Sequence, residues 1–173
     1  MNIIKIPVGS YQANCYLVAN EMTLETIIID PGDEAGKIID VIEKNNLKPK
    51  QIILTHTHFD HTGAVEEIKN RFNIDVLAPS YQGRSFVDLR IIGTPGHTKD
   101  SVCIVCPQEK VIFTGDTLFK NSIGRTDLEG GDYNKIQKSL QKIMQYPDDF
   151  KVYPGHGPNT TIGEERRNNP FLK

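Results

Sequence analysis

Short runs of aliphatic and β-branched residues, each broken by polar or turn-forming positions, dominate the start of the chain: Ile3 to Val8, Cys15 to Val18 and Thr26 to Ile29. Runs this short and this rich in isoleucine and valine predict strands, and Pro31-Gly32 predicts the turn closing the third. From Asp33 the period changes. Ile38, Ile39 and Ile42 fall on one side of a helix and Lys37, Asp40, Glu43 and Lys44 on the other, with Asn45-Asn46 and Pro49 ending it. Ile52 to Leu54 predicts a buried strand, and Thr62 to about Arg71 a second helix with Val65, Ile68 and Phe72 at helical spacing. Further strands are predicted at Asp75 to Ala78, Leu89 to Ile92, Val102 to Val105 and Val111 to Thr114. The clearest helix begins near Gly131 and carries Ile136, Leu140, Ile143 and Met144 on one face. Phe150 to Tyr153 predicts a final strand and Thr161 to Asn168 a terminal helix. Strands followed by helices in each half, with no obvious linker, predict a mixed α/β fold.

A length of 173 residues predicts one domain, 1–173, large enough to bury a core without staples. Net charge is −2, and the densest basic doublet, Arg166-Arg167, is flanked by Glu164 and Glu165. That argues against a nucleic-acid partner. No apolar run is long enough to span a bilayer, and the N-terminus lacks the charged-then-apolar secretory pattern. No membrane partner is therefore expected, and the expected location is the cytoplasm. Three cysteines, Cys15, Cys103 and Cys106, are an odd number, which speaks against a disulfide framework. Cys103-Ile104-Val105-Cys106 spells a C-x-x-C, but inside a strand-like run the offset of three puts the thiols on opposite faces. Core packing is the expected role, with redox or metal chemistry as the alternative.

The chemistry lies in the histidines. There are five, and four of the seven residues Thr55-His56-Thr57-His58-Phe59-Asp60-His61 are potential metal ligands. Buried polar groups need partners, and a metal would satisfy all four at once. Downstream, Thr94-Pro95-Gly96-His97-Thr98 offers a histidine in a tight turn. Phe113-Thr114-Gly115-Asp116-Thr117 sets a carboxylate just beyond an apolar strand, and Tyr153-Pro154-Gly155-His156-Gly157 sets an imidazole between glycines. Each falls at a strand end or in the loop beyond it, where a rigid scaffold usually carries its reactive groups. A closed structural zinc site prefers four ligands and cysteine; seven ligands without cysteine favour a catalytic site. Asp30, in Ile29-Asp30-Pro31-Gly32, is a candidate for orienting a ligating histidine, or else initiates the turn. Lys120, Ser122 and Arg125 follow Asp116 closely and are candidate substrate contacts or ordinary surface-loop residues.

These motifs, in this order, resemble the metallo-β-lactamase superfamily nearly end to end, and within it the small single-domain relatives of glyoxalase II (hydroxyacylglutathione hydrolase). Three more stretches carry the likeness: Val8-Gly9-Ser10-Tyr11-Gln12-Ala13-Asn14-Cys15-Tyr16, the span from Gly115-Asp116-Thr117 to Asp127-Leu128, and Thr160-Thr161-Ile162-Gly163-Glu164-Glu165-Arg166-Arg167. The resemblance implies a four-layer αβ/βα sandwich. It also implies two divalent metal ions, zinc before iron or manganese. One is held by His56, His58 and His97, the other by Asp60, His61 and His156, and Asp116 bridges them. Asp60 and Asp116 become the catalytic carboxylates. The implied reaction is hydrolysis of a thioester or other ester by metal-bound hydroxide, on a small molecule such as a glutathione or other thiol ester.

Departures from the family narrow this. Some β-lactamases carry cysteine where Asp116 stands and arginine where His61 stands, and flavodiiron relatives carry glutamate in place of His58. Full-length glyoxalase II has a C-terminal helical domain that helps bind glutathione. The present sequence stops soon after His156 and is short between His61 and His97, so an open site with weaker glutathione selectivity is expected. A persulfide dioxygenase using one iron on His56, His97 and Asp116 remains an alternative, as does a phosphodiesterase or nuclease of the same superfamily.

Overall fold

The computed structural model describes residues 1–77 and 88–173, and the chain divides into two compact units, Met1–Ala78 and Pro79–Lys173. The first is a five-stranded sheet with helices on it. Strands β1 (Asn2–Val8), β2 (Ala13–Ala19), β3 (Glu25–Ile29), β4 (Lys48–Ile53) and β5 (Asp75–Leu77) lie side by side in chain order. The first three are antiparallel, and β3, β4 and β5 run parallel. Parallel neighbours need crossovers, and these are helices: α1 (Ala35–Lys44) links β3 to β4, while α2 (Phe59–Thr62) and α3 (Val65–Phe72) link β4 to β5. Ile38 and Ile42 of α1 and Val65 and Ile68 of α3 join Cys15, Leu17, Ile28 and Ile52 in one core cluster. The expected strand end at Ala78 lies outside the described residues.

Three expectations shift here. Helix α1 starts at Ala35 rather than Asp33, because the Asp33 carboxylate accepts the Glu34 N–H at 2.7 Å and Glu34 itself sits at φ 50°. Pro49 lies inside β4 rather than ending a helix. The β3–β4 register slips between Thr26 and Ile27, and such an irregularity is where a strand tolerates proline. The helix expected from Thr62 begins at Val65, beyond the point where the Ala64 N–H donates to the Pro31 carbonyl at 3.0 Å, and the single turn α2 ahead of it was not expected.

The second unit is built from β6 (Arg90–Gly93), β7 (Val102–Cys106), β8 (Val111–Gly115), β11 (Lys151–Pro154) and β12 (Thr160–Thr161) in the order β12-β11-β8-β7-β6. A small hairpin, β9 (Leu118–Phe119) with β10 (Ser122–Ile123), stands apart from that sheet. Strands β8 and β11 are parallel and the other pairs antiparallel. Helix α4 (Tyr133–Ile143) begins where the Asp132 side chain accepts the Lys135 N–H, and α5 (Ile162–Asn168) where Thr161 does the same for Glu164. Leu140 and Ile143 of α4 and Ile162 of α5 pack on Cys103, Val105, Ile112 and Val152. Phe150 precedes β11 rather than opening it, and the last strand is β12, too short to read from periodicity.

All three cysteines are free thiols in the interior. Burial pushes Cys103 up to about 12 and raises Cys106 as well, so both are protonated at neutral pH.

Candidate metal centre

In the first unit, Asp30 leaves the end of β3 and Thr55 to His61 leave the end of β4. The two strands are parallel, so both segments emerge at the same edge of the sheet. Asp30 is fully buried and accepts three hydrogen bonds: the Thr55 N–H to Oδ1 at 2.7 Å, the Thr55 hydroxyl to Oδ2 at 2.6 Å, and His61 Nδ1 to Oδ2 at 3.1 Å. Thr55 Oγ1 also lies 3.1 Å from His56 Nδ1.

These contacts fix tautomers. The hydroxyl of Thr55 has one proton and gives it to Asp30, so it can only accept from His56, whose proton must be on Nδ1. The Asp30 carboxylate accepts in the same way from His61 Nδ1. In both rings the lone pair is therefore on Nε2. Asp30, His56 and His61 each bring a ligand atom within 4.8 Å of the others. The rings of His56 and His58 meet edge to face at 4.9 Å, those of His56 and His61 at 4.2 Å, and His61 Nε2 lies 3.8 Å from Asp60 Oδ2.

The second unit carries the other three expected ligands at the ends of β6, β8 and β11. His97 Nε2 and His156 Nε2 each stand 3.5 Å from the same atom, Asp116 Oδ2. The Arg125 carbonyl accepts from His97 Nδ1 at 2.8 Å, so this ring too has its lone pair on Nε2. The His97 turn is clamped onto α4: Ser139 Oγ donates to the Pro95 carbonyl and the Asp132 N–H to the Gly96 carbonyl, both at 2.8 Å. Gly96 sits at φ 141°, and a Cβ there would overlap the backbone of Ile136. A Cβ on Gly124 would overlap the Asp116 carbonyl oxygen and lie 3.1 Å from His97 Nδ1. Only glycine permits both approaches.

Of the candidate substrate contacts, Lys120 pairs with Glu164 at 3.1 Å, and the Arg125 side chain forks onto Asp127, whose carboxyl is held down to about 2 by that pairing. The Ser122 hydroxyl makes a long bond to the Ile123 carbonyl. What Arg125 contributes to the cluster is its main-chain oxygen, which a reading of side chains does not anticipate. Thr55 is not anticipated either; its only signal is its place between a strand and the first ligand. Phe119, on β9, packs edge-on to His156 at 6.0 Å between centroids.

The donor set fits divalent metal. Three imidazoles are tied at Nδ1 by oxygen acceptors and carry their lone pairs on Nε2, the arrangement seen around ligating histidines. Two further imidazole–carboxylate approaches converge on one oxygen of Asp116.

The sequence model of the metallo-beta-lactamase superfamily matches residues 8–90 and 83–156. The chain belongs to that superfamily. It is 36% identical to the hydroxyacylglutathione hydrolase GloC of Haemophilus influenzae, covering 99% of this chain and 98% of that one. That alignment runs over 209 positions, more than this chain has, so the relative carries segments absent here. Among solved structures, the BLEG-1 B3 metallo-beta-lactamase superposes with a TM-score of 0.93 at 34% identity, covering 99% of this chain and all of that one. TTHA1623, solved in a di-iron-bound form, superposes at 0.91 with 32% identity, covering 98% and 100%. The superfamily's α/β fold is thus the fold of this chain.

Proposed function

We propose that this chain is a binuclear metal-dependent hydrolase of thioesters, working as one domain in the cytoplasm. The single observation that carries the metal reading is the shared tautomer of His56, His61 and His97, each tied at Nδ1. In this reading one ion takes His56, His58 and His97, the other takes Asp60, His61 and His156, and Asp116 serves both. Zinc is the first choice for such a nitrogen-rich set, with iron or manganese as substitutes. Divalent metal supplies a water acidic enough to ionise near neutral pH and a Lewis acid for the acyl oxygen. The protein supplies the rest. Asp30 and Thr55 keep the imidazoles oriented, and Asp116 Oδ2 lies 3.5 Å from both His97 Nε2 and His156 Nε2. Asp60 Oδ2, 3.8 Å from His61 Nε2, would join that imidazole on the second ion, so that Asp60 and Asp116 are the carboxylates proposed to serve catalysis. The likeness to GloC supports the thioester class. Lys120, Ser122 and Arg125 remain proposed substrate contacts of the adjoining loop.

The test is metal quantification followed by a thioester panel that includes S-lactoylglutathione. About two ions per chain and turnover lost in Asp116→Ala are expected. One tightly bound ion under excess metal would overturn the binuclear reading, and a metal-loaded protein inert to every thioester would overturn the substrate class. S-lactoylglutathione is expected to show a weak KM rather than a lost kcat, because the glutathione contacts lie remote from the carbonyl.

A second reading is persulfide oxidation by a single iron on His56, His97 and Asp116; the di-iron form of TTHA1623 supports iron as the metal, though with two ions. Iron in natively purified protein together with oxygen uptake on a persulfide would select it.

A further inference from the structure

We propose that Tyr11 and Phe59 form an aromatic wall that selects substrates by their acyl group, favouring uncharged aromatic or branched acyl chains and disfavouring acyl chains that carry a carboxylate. The proposal deepens the thioester reading and rests on it for the bond that is cleaved.

Isolated exposed hydrophobic side chains are ordinary on a protein surface. Tyr11 and Phe59 are 62% and 67% exposed, yet their rings meet edge to face, with centroids 5.4 Å apart and planes at 81°. At that exposure the pair still presents ring surface to solvent, an arrangement able to take a third apolar group. The position is specific. Phe59 stands between His58 and Asp60, and the two rings line a shallow groove shared with Gly9, Gly32, Asp33 and Asp60. Asp60, an expected metal ligand, lines the same groove, so a group lying there is next to the proposed centre.

The Tyr11 side of the wall is held rigidly. Tyr11 sits in the turn from Gly9 to Gln12, where Gly9 has φ 65° and Gln12 has φ 52°. Both the Gln12 backbone N–H and its side-chain amide donate to the Gly9 carbonyl, at 3.2 and 2.6 Å. The Gly9 N–H donates to Glu34 Oε2 at 2.9 Å, and Lys37 Nζ ties the Pro7 carbonyl at 2.7 Å to Glu34 at 3.2 Å. A turn pinned at both ends gives Tyr11 a fixed site at which to meet a ligand. That lowers the entropy lost on binding.

Charge decides which acyl groups suit the wall. Asp33 Oδ2 would lie 2.7 Å from a Cβ on Gly9, so its carboxylate is packed against the turn that carries Tyr11. Lys37, the cation bonded to the strand end before this turn, is already engaged by Glu34 and the Pro7 carbonyl. A carboxylate at the end of an acyl chain would meet the like charge of Asp33, whereas a phenyl or isopropyl group would meet two ring surfaces.

The experiment uses zinc-loaded protein and non-hydrolysable ketone analogues, with CH₂ in place of the thioester sulfur, bearing acetyl, phenylacetyl or succinyl groups. Calorimetry reads their affinities, and the matching thioesters are assayed in parallel. The phenylacetyl analogue should bind about tenfold tighter than the acetyl one, and the succinyl analogue weakest. Tyr11→Ala should erase the phenylacetyl preference, Phe59→Leu should reduce it at unchanged metal content, and Asp33→Asn should recover succinyl binding. Equal affinity for acetyl and phenylacetyl analogues, or a preference that survives Tyr11→Ala, overturns the proposal. If the preference depends on Tyr11 while no thioester is cleaved, the wall stands and the thioester reading falls. Thioester cleavage without any acyl preference would leave the thioester reading standing and remove the wall.

Discussion

At the scale of single residues, Asp30 does the most with the fewest atoms. Its two oxygens take up a backbone N–H, a hydroxyl and an imidazole, all buried. Asp30→Ala would strand those donors, and each buried unsatisfied donor costs about 1–3 kcal/mol. Chemical denaturation should show a loss of at least about 2 kcal/mol, and chelator competition a roughly 10- to 100-fold weaker metal affinity. An affinity unchanged at equal metal loading would mean that Asp30 only shapes its turn. Cys103 offers the opposite expectation. With its thiol pushed up to about 12 by burial, it should resist iodoacetamide at about pH 8 in the native state and react only on unfolding. A Cys103→Ala, Cys106→Ala double variant should keep its metal and turnover and lose about 1–3 kcal/mol through the cavities left behind.

At the scale of elements, two glycines should respond oppositely to the same change. Gly36 lies in α1 with nothing near its would-be Cβ, so Gly36→Ala should stabilise the protein by about 0.5–1 kcal/mol. Gly124→Ala should instead push apart Asp116 and the loop that seats His97, lowering metal affinity and turnover at nearly unchanged helix content by circular dichroism. The turn between β1 and β2 carries its own pH signature. The Gly9 N–H and then Lys37 hold the Glu34 carboxyl below its ordinary value. A depressed carboxyl contributes stability above its unfolded value, and that contribution is lost as pH falls through the folded one. Glu34→Gln should therefore lower stability at neutral pH and flatten the acid limb of the profile, the difference from the parent closing as pH falls through the folded value. Helix α5 explains a motif that the sequence marked without a role. Glu165, fully buried, accepts from the Asn121 N–H, the Thr160 hydroxyl and the Asn169 amide. It anchors the β9–β10 hairpin that carries Phe119 against His156.

At the scale of the whole molecule, no helix among the described residues is long and apolar enough to cross a membrane. The global consequence of the proposed site is linkage between metal and folding. Metal that binds only the folded chain should raise the unfolding midpoint with concentration, by about 2.7 kcal/mol per site at roughly a hundredfold excess over Kd. Thermal scans in zinc and in chelator that coincide would remove metal from the account of stability.

Much of this was legible in the sequence, for reasons that differ by level. Strand and helix periods located β1 to β4, α1, α4 and α5, because alternation and helical spacing are local consequences of burying one face. The ligand types were legible because chemistry demands histidine and aspartate whatever the fold. Element ends were less so. Nothing local foretells that Glu34 turns to Gly9 instead of capping α1, that Ala64 reaches back to Pro31 just before α3 begins, or that a register slip admits Pro49 to a strand. The hairpin of β9 and β10 and the two residues of β12 are too short to carry a period. Within the centre, Asp30 could be nominated from sequence, but its three bonds could not, and Thr55 and the Arg125 carbonyl were silent. Thr55 acts through one hydroxyl proton whose direction depends on a residue 25 positions earlier, and Arg125 through an oxygen that every residue possesses. The sequence by itself determined which residues could offer a metal ligand and roughly where the longer strands run. Tertiary structure alone decided which nitrogen of each histidine carries the free lone pair, because a tautomer is set by what the folded chain places beside the other nitrogen.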